Sequence, residues 1–147
     1  MQIRPLTAAD HATWLALWND YCQFYHSRLA DDVNATLWQR LLDEQSPIKG
    51  LIALDDTGQP LGFCHTVRHP HTWSARNVCY LEDLYVSPNA RRMGIASQLI
   101  EALRVQGQHE NWYRIYWITG TGNAAARAVY DKLATRSDHV RYEIALA

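Results

Sequence analysis

The chain of 147 residues carries 14 basic and 15 acidic side chains for a formal charge of -1, and 48% of it is hydrophobic. That length and apolar content suit one domain with a full core, and so even a charge balance leaves no global field to draw the chain onto nucleic acid or an anionic membrane. Cys22, Cys64 and Cys79 are odd in number, widely spaced and without a CxxC pair, which fits neither a disulfide framework nor a zinc site and reads as buried thiols in a reducing compartment. The start "MQIRPLTAAD" lacks a signal-peptide apolar core, and no apolar run approaches the roughly 20 residues of a membrane span. A cytoplasmic protein is expected.

In chain order, "MQIRPL" alternates briefly as a strand. Thr7 with Asp10 then makes a capping-box pattern before a helix carrying Trp14, Leu17, Trp18, Tyr21, Cys22 and Tyr25. A second helix is predicted over "ATLWQRLLDEQ", with Leu37, Trp38, Leu41 and Leu42 in one stripe and Ser46-Pro47 closing it. "GLIALDDTGQPLGFCHTVR" reads as two strands joined by a turn at Asp55 to Gln59. "HPHTWSARN" reads as a loop and "VCYLEDLYV" as the next strand. A helix buries Ile95, Ala96, Leu99, Ile100 and Leu103 and ends near Gly107. "YRIYWIT" is a strand, "NAAARAVYDKLA" a helix with Ala126, Val129, Tyr130 and Leu133 on one side, and "VRYEIAL" a final strand. Hairpins pair strands antiparallel and strand-helix-strand crossovers pair them parallel, so this order predicts a mixed sheet.

The stretch "SPNARRMGIASQLIEAL" carries Arg91 and Arg92 through a turn into Gly94 and on into a helix. A helix start offers unpaired N–H groups and the positive end of the helix dipole, which together make an anion site. Gly94 permits a ligand to approach the backbone, and the two arginines add charge-assisted donors suited to phosphate. The combination suits a pyrophosphate, although it is neither a Walker loop nor a three-glycine dinucleotide fingerprint. Spacing alone equally allows a helix whose first turn carries two solvated arginines and a packing glycine. His65, His69 and His71 in "CHTVRHPH" match no standard metal-ligand spacing, and no metal is expected. His65, on a strand, is an alternative base.

Arg91-x-x-Gly94-x-Ala96, preceded by "YLEDLYV" and Ser87-Pro88, resembles the acetyl-coenzyme A motif of the GNAT superfamily of N-acetyltransferases, Gln/Arg-x-x-Gly-x-Gly/Ala. The order of elements agrees with that fold along essentially the whole chain. Asn123 and Tyr130 in "GNAAARAVYDKL" match the asparagine and tyrosine of the family's fourth helix. "YLEDLYV" is similar to the corresponding strand of diamine acetyltransferases. "WLALWNDYCQFY" and "ARAVYDKLA" look like a bacterial branch compared with yeast histone and polyamine acetyltransferases. Two departures stand out: Arg92 occupies a position where many members have glycine, and "TGTG" precedes Asn123 where a bulkier or acidic residue is more usual.

The resemblance implies an α/β (α+β) fold in which residues 1–147 form a single GNAT domain, a mixed central sheet of six to seven strands flanked by about four helices. The backbone from Arg91 through Arg92, Met93, Gly94, Ile95 and Ala96 to Ser97 would hold the pyrophosphate of acetyl-coenzyme A. Leu84, Tyr85 and Val86 would line its pantetheine arm, with one N–H facing the thioester carbonyl. Asn123 would bond the arm while also serving as an N-cap. An alkyl ammonium with a pKa of about 10 must lose its proton before it attacks, which makes Glu82 the expected base, acting directly or through water. Tyr130 matches the acid that protonates the leaving thiolate. Strand alternation places Glu82 and Asp83 on opposite faces. Tyr21 and Tyr25 would wall the acceptor cleft with those carboxylates. The expected acceptor is a diamine, polyamine or other small primary amine. A lysine or N-terminal amine of a protein, or a catalytically silent acyl-coenzyme A sensor, are the alternatives, and members are often homodimers.

Overall fold

Thr7 and Asp10 open the first helical turn as their spacing predicts, with the Asp10 carboxylate accepting from the Thr7 amide at 2.8 Å and hydroxyl at 3.0 Å. Arg4, on β1 (Gln2–Pro5), grips the same carboxylate at 2.7 and 2.8 Å and holds its pKa down at about 2. α1 (His11–Phe24) follows, and in the computed structural model, which describes residues 1–146, its Trp14, Leu17, Trp18 and Cys22 form the buried stripe. α2 (Asp31–Leu42) starts before its apolar stripe. Asp31 and Asp32 fill its first turn, where carboxylates complement the helix dipole.

β2 (Ile48–Leu54), β3 (Pro60–His71) and β4 (Ser74–Val86) form an antiparallel meander with β1. The turn at Asp55 is as expected, its carboxylate accepting from the Thr57 and Gln59 amides at 2.8 and 2.9 Å. The segment read as a loop, residues 69–77, is instead a continuous hairpin in which His71 faces Ser74. Pro70 is tolerated because it sits in a register shift between His69 and His71, where the ladder needs no N–H.

α3 (Ile95–His109) buries Ile95, Leu99, Ile100 and Leu103. Burial of each leucine contributes roughly 2 kcal/mol. Gly107 does not end this helix: a Cβ there would stand 2.7 Å from the Trp112 ring, so the residue is a contact point inside the last turn. β5 (Ile115–Tyr116) runs parallel to β4, and α4 (Ala124–Leu133) closes the order with no buried residue.

The sheet order is β1-β2-β3-β4-β5, five strands rather than the expected six to seven. β5 keeps two residues of 113–119, and the expected final strand over 140–146 is not formed. The core lies on both faces. Ile52, Phe63 and Tyr85 pack against α1 and α2, whereas Ala53, Cys64 and Leu81 pack against α3. The three cysteines are buried and unpaired, with burial pushing Cys64 up to about 12 and Cys79 up to about 11. Among the described residues no helix is long and apolar enough to cross a membrane.

Candidate active site

Opposite β3, β4 carries one residue too many. His65 faces Asp83 and Thr66 faces Leu81, so Glu82 has no cross-strand partner and forms a β-bulge. Simple alternation had set Glu82 and Asp83 on opposite faces. The bulge resets that count: Leu81 and Leu84 both pack toward α3, while Asp83 and Tyr85 turn toward α1. Glu82 is left exposed at the step, its pKa raised by partial burial of the carboxyl and then by the charge of Asp83.

The bulge lies beside a gap. β4 and β5 share only the pairs Cys79 with Ile115 and Tyr80 with Tyr116. Beyond Tyr80 the strands part, so the edge of 81–86 on that side has no strand partner. The side chains of Leu84, Tyr85 and Val86 are engaged in the core layers, which leaves their backbone as the surface presented along the gap. The strand thus offers donors and acceptors to an extended ligand arm.

At the end of β4 the chain passes through a 3-10 turn (Pro88–Ala90) into the arginine-bearing segment. Gly94 has φ +76°, and Arg92 has φ +64°, so the departure from the family's glycine costs about 1–2 kcal/mol of backbone strain rather than a change of path. Gly94 is also the N-cap of α3 and has no side chain to satisfy the first-turn N–H groups of Ile95, Ala96 and Ser97. A Cβ on Gly94 would meet only Gln98 Nε2, at 3.9 Å, so the space above it is open. Ile95 is buried and anchors the turn, whereas Met93 and Arg92 are exposed. The Arg91 side chain folds back: its Nε donates to the Val86 carbonyl at 3.1 Å, and its guanidinium lies over the Phe24 and Tyr85 rings at 5.5 and 5.9 Å. Free first-turn donors, an open glycine and two flanking cations fit a pyrophosphate.

Across the gap, Asn123 caps α4, its Oδ1 accepting from the Ala126 amide at 3.4 Å and its Nδ2 donating to Thr119 Oγ1 at 3.4 Å. Tyr130, two turns on, packs edge-on to Trp117 at 5.4 Å. Burial, and then the neighbouring Tyr25 phenol, raise its pKa, so it holds its proton at neutral pH. Tyr25, just past α1, is exposed and close enough to Tyr130 to act on its phenol. The structure therefore brings the Tyr25 and Tyr130 phenols near one another and sets Glu82 on the strand that parts from β5.

Next to Glu82 is a hydrogen-bonded chain that sequence reading did not assemble. The Trp14 indole donates to His65 Nε2 at 2.9 Å, His65 Nδ1 meets Asp83 Oδ2 at 2.9 Å, and the Tyr21 hydroxyl donates to Asp83 Oδ1 at 2.7 Å. An indole can only donate, so Nε2 is the acceptor and Nδ1 carries the proton that goes to Asp83. His65 is 1% exposed, with both nitrogens spent, which removes it as the alternative base. Burial and then the Asp83 charge drive the Tyr21 phenol far upward. Tyr21 and Asp83 thus tie β4 to α1 next to Glu82. Once the hairpin register is known, His65 opposite Asp83 is the signal. His69 and His71 stay on the surface, bonded to Tyr116 and Arg114. Among the described residues no three His, Cys, Asp or Glu side chains converge as a metal site requires.

The sequence matches the Acetyltransferase (GNAT) family over residues 12–134. It is 30% identical over 142 residues to the D-amino-acid N-acetyltransferase HPA3 of Saccharomyces cerevisiae, covering 96% of this chain and 88% of that one. It is 32% identical over 119 residues to an aminoglycoside N(6')-acetyltransferase type 1 of Klebsiella aerogenes, covering 76% of this chain and 70% of the other. The solved structure of AAC(6')-Iy in complex with the bisubstrate analogue CoA-S-monomethyl-acetylneamine has a TM-score of 0.83 to this fold, with 21% identity over 99% of this chain and 98% of that one. A parted parallel strand pair beside an uncapped, glycine-led helix start gives this α+β fold an edge and an anion site for an extended, phosphate-bearing ligand. The chain belongs to the acetyltransferase (GNAT) family, and its activity is acetyl-coenzyme A-dependent N-acetyl transfer.

Proposed function

We propose that the acceptor is a small-molecule primary amine bearing further positive charge, of the polyamine, diamine or aminoglycoside kind. The observation that carries this reading is the pair of adjacent carboxylates at the bulge: among the described residues Glu82 makes no ion pair, and the side-chain hydrogen bonds of Asp83 come only from His65 and Tyr21. Their charge is left for a cation to meet. Both curated relatives described above act on small molecules by name, which supports the same class.

When bound, acetyl-coenzyme A supplies an activated acetyl group. The backbone from Arg91 to Ser97 holds its pyrophosphate, and the free edge of Leu84 to Val86 with Asn123 orients its arm. Glu82, with its raised pKa, takes the ammonium proton from the acceptor directly or through water. Tyr130 donates a proton to the departing sulfur. Tyr25 walls the acceptor side, and the Trp14–His65–Asp83–Tyr21 chain holds β4 against α1 next to Glu82.

A second reading, an α-amino acid acceptor, is favoured by Arg141, whose charge reaches Glu82 and Tyr80 and offers a cation to a substrate carboxylate. Thiol release measured across diamines, polyamines, aminoglycosides, D- and L-amino acids and lysine peptides tests both. Turnover confined to polycationic small amines supports the first reading, turnover with amino acids supports the second, and turnover with peptides alone refutes a small-molecule acceptor.

A further inference from the structure

The segment that leads into α3 is weakly held by its own backbone. Residues 91–94 are all exposed, between the buried Ala90 and the buried Ile95. Arg92 and Gly94 take φ of +64° and +76°, so two of the four residues sit in the left-handed region, one of them without a glycine's freedom. The Arg91 amide reaches the Pro88 carbonyl only at 3.5 Å, and among the described residues the amides of Arg92, Met93 and Gly94 donate to no backbone carbonyl. A ligand that had to order such a run before meeting it would lose affinity in doing so.

One side chain ties the run down. Among the described residues its side-chain hydrogen bond comes from Arg91 alone, whose Nε donates to the Val86 carbonyl at 3.1 Å. The guanidinium then lies over two rings, Tyr85 at 5.9 Å and Phe24 at 5.5 Å. Tyr85 is buried in the layer under α1 and is fixed there. Phe24 comes from a different element, as the last residue of α1, and is 53% exposed, so little of the core depends on it. We propose that Phe24 is a positioning residue for coenzyme binding: by closing on Arg91 it holds residues 91–94 in the shape in which their amides receive the pyrophosphate.

Phe24 acts from a firm base. In the same stretch of α1, Tyr21 donates to Asp83 at 2.7 Å and meets the Tyr85 ring edge-on at 6.1 Å, and Tyr25 packs edge-on to Phe24 at 5.1 Å. Arg91 is thus gripped between β4 and the end of α1, and the grip removes in advance part of the rotamer freedom an arginine keeps in water. The inference rests on the assignment of the pyrophosphate to the backbone of 91–97, and it holds whichever amine is acetylated.

Isothermal titration calorimetry of coenzyme A, with no acceptor present, tests it on the wild type, Phe24→Leu, Phe24→Tyr, Arg91→Ala, the double variant Phe24→Leu with Arg91→Ala, and Gly94→Val, with circular dichroism to check the fold. Phe24→Leu keeps an apolar side chain but loses the ring face, and should weaken binding about three- to fivefold, the worth of one partly exposed cation–π contact. Phe24→Tyr should bind as the wild type does. Because Phe24 acts through Arg91, the leucine substitution should add nothing in the Arg91→Ala background, whereas a general loosening of α1 would weaken binding in both backgrounds alike. Unchanged affinity in Phe24→Leu, an equal loss in both backgrounds, or a loss in Phe24→Tyr as large as in Phe24→Leu would overturn the inference while Gly94→Val still binds weakly. Failure of the underlying assignment reads differently: Gly94→Val would then bind coenzyme A as tightly as the wild type, and the inference would fall with it.

Discussion

Glu82→Gln separates catalysis from folding at a single atom. The substitution keeps the length and shape of the side chain and removes only its ability to ionise. Nothing structural depends on that charge: Glu82 has no cross-strand partner, and no ion pair to it is present among the described residues. If Glu82 is the base, the loss should be 10²- to 10⁴-fold in kcat/KM, about 3–5 kcal/mol of transition-state stabilisation. Stability should move the other way. A carboxyl whose folded pKa is raised above its unfolded value of 4.5 binds protons more tightly in the folded state, so wild-type stability falls as pH rises through that window. The glutamine variant escapes this fall and should be as stable as the wild type or slightly more so at neutral pH. Thiol release as a function of pH is the assay, run beside thermal unfolding. The wild type should show an acid limb above the ordinary glutamate pKa, and the variant should lack it. An unchanged limb, or activity within tenfold of wild type in a folded variant, would refute the assignment.

Tyr130→Phe should lower kcat by about 10²-fold or more with little change in the KM for acetyl-coenzyme A, which steady-state kinetics would show. Gly94→Val forces a β-branched residue into φ +76° at a cost of about 1–2 kcal/mol and fills the open space above the helix start. Calorimetry should find coenzyme affinity at least tenfold weaker. Asp10→Asn should destabilise the fold by about 2 kcal/mol at neutral pH, the worth of lowering a carboxyl from 3.8 to about 2. That stability is present above the unfolded pKa and lost as pH falls through the folded one, so urea titrations of variant and wild type should converge below about pH 2.

The local signals proved legible, and the relational ones did not. Thr7 with Asp10, the Asp55 turn and the glycine-led start of α3 each depend on residues a few positions apart, so sequence displays them directly. The bulge at Glu82 depends on how β4 is registered against β3, and nothing within "YLEDLYV" reveals that its partner is one residue short. Pro70 misdirected the reading of 69–77, because a proline in a strand is permitted only where the ladder is interrupted, and the interruption is visible only in the pairing. Gly107 looked like a helix stop and is instead the seat of Trp112. Glu82, Asn123 and Tyr130 are proposed from motif alone, whereas the Trp14 to His65 bond joins residues 51 positions apart and awaited the fold.

The extra residue in β4 changes what kinds of mutation this protein can absorb. Because position 82 takes no turn in the in-and-out rhythm of the strand, an exchange there alters the cleft's chemistry without moving any neighbour into or out of the core. Substitutions at that site can therefore be compared for activity with the scaffold held still. Deleting the residue is a different matter: Leu81, Asp83 and Leu84 would then alternate as an uninterrupted strand against Thr66, His65 and Cys64, keeping their faces, and the step that carries a carboxyl out of the ladder would be gone. The fold would survive either change, and only the one that keeps a residue at 82 also keeps the bulge.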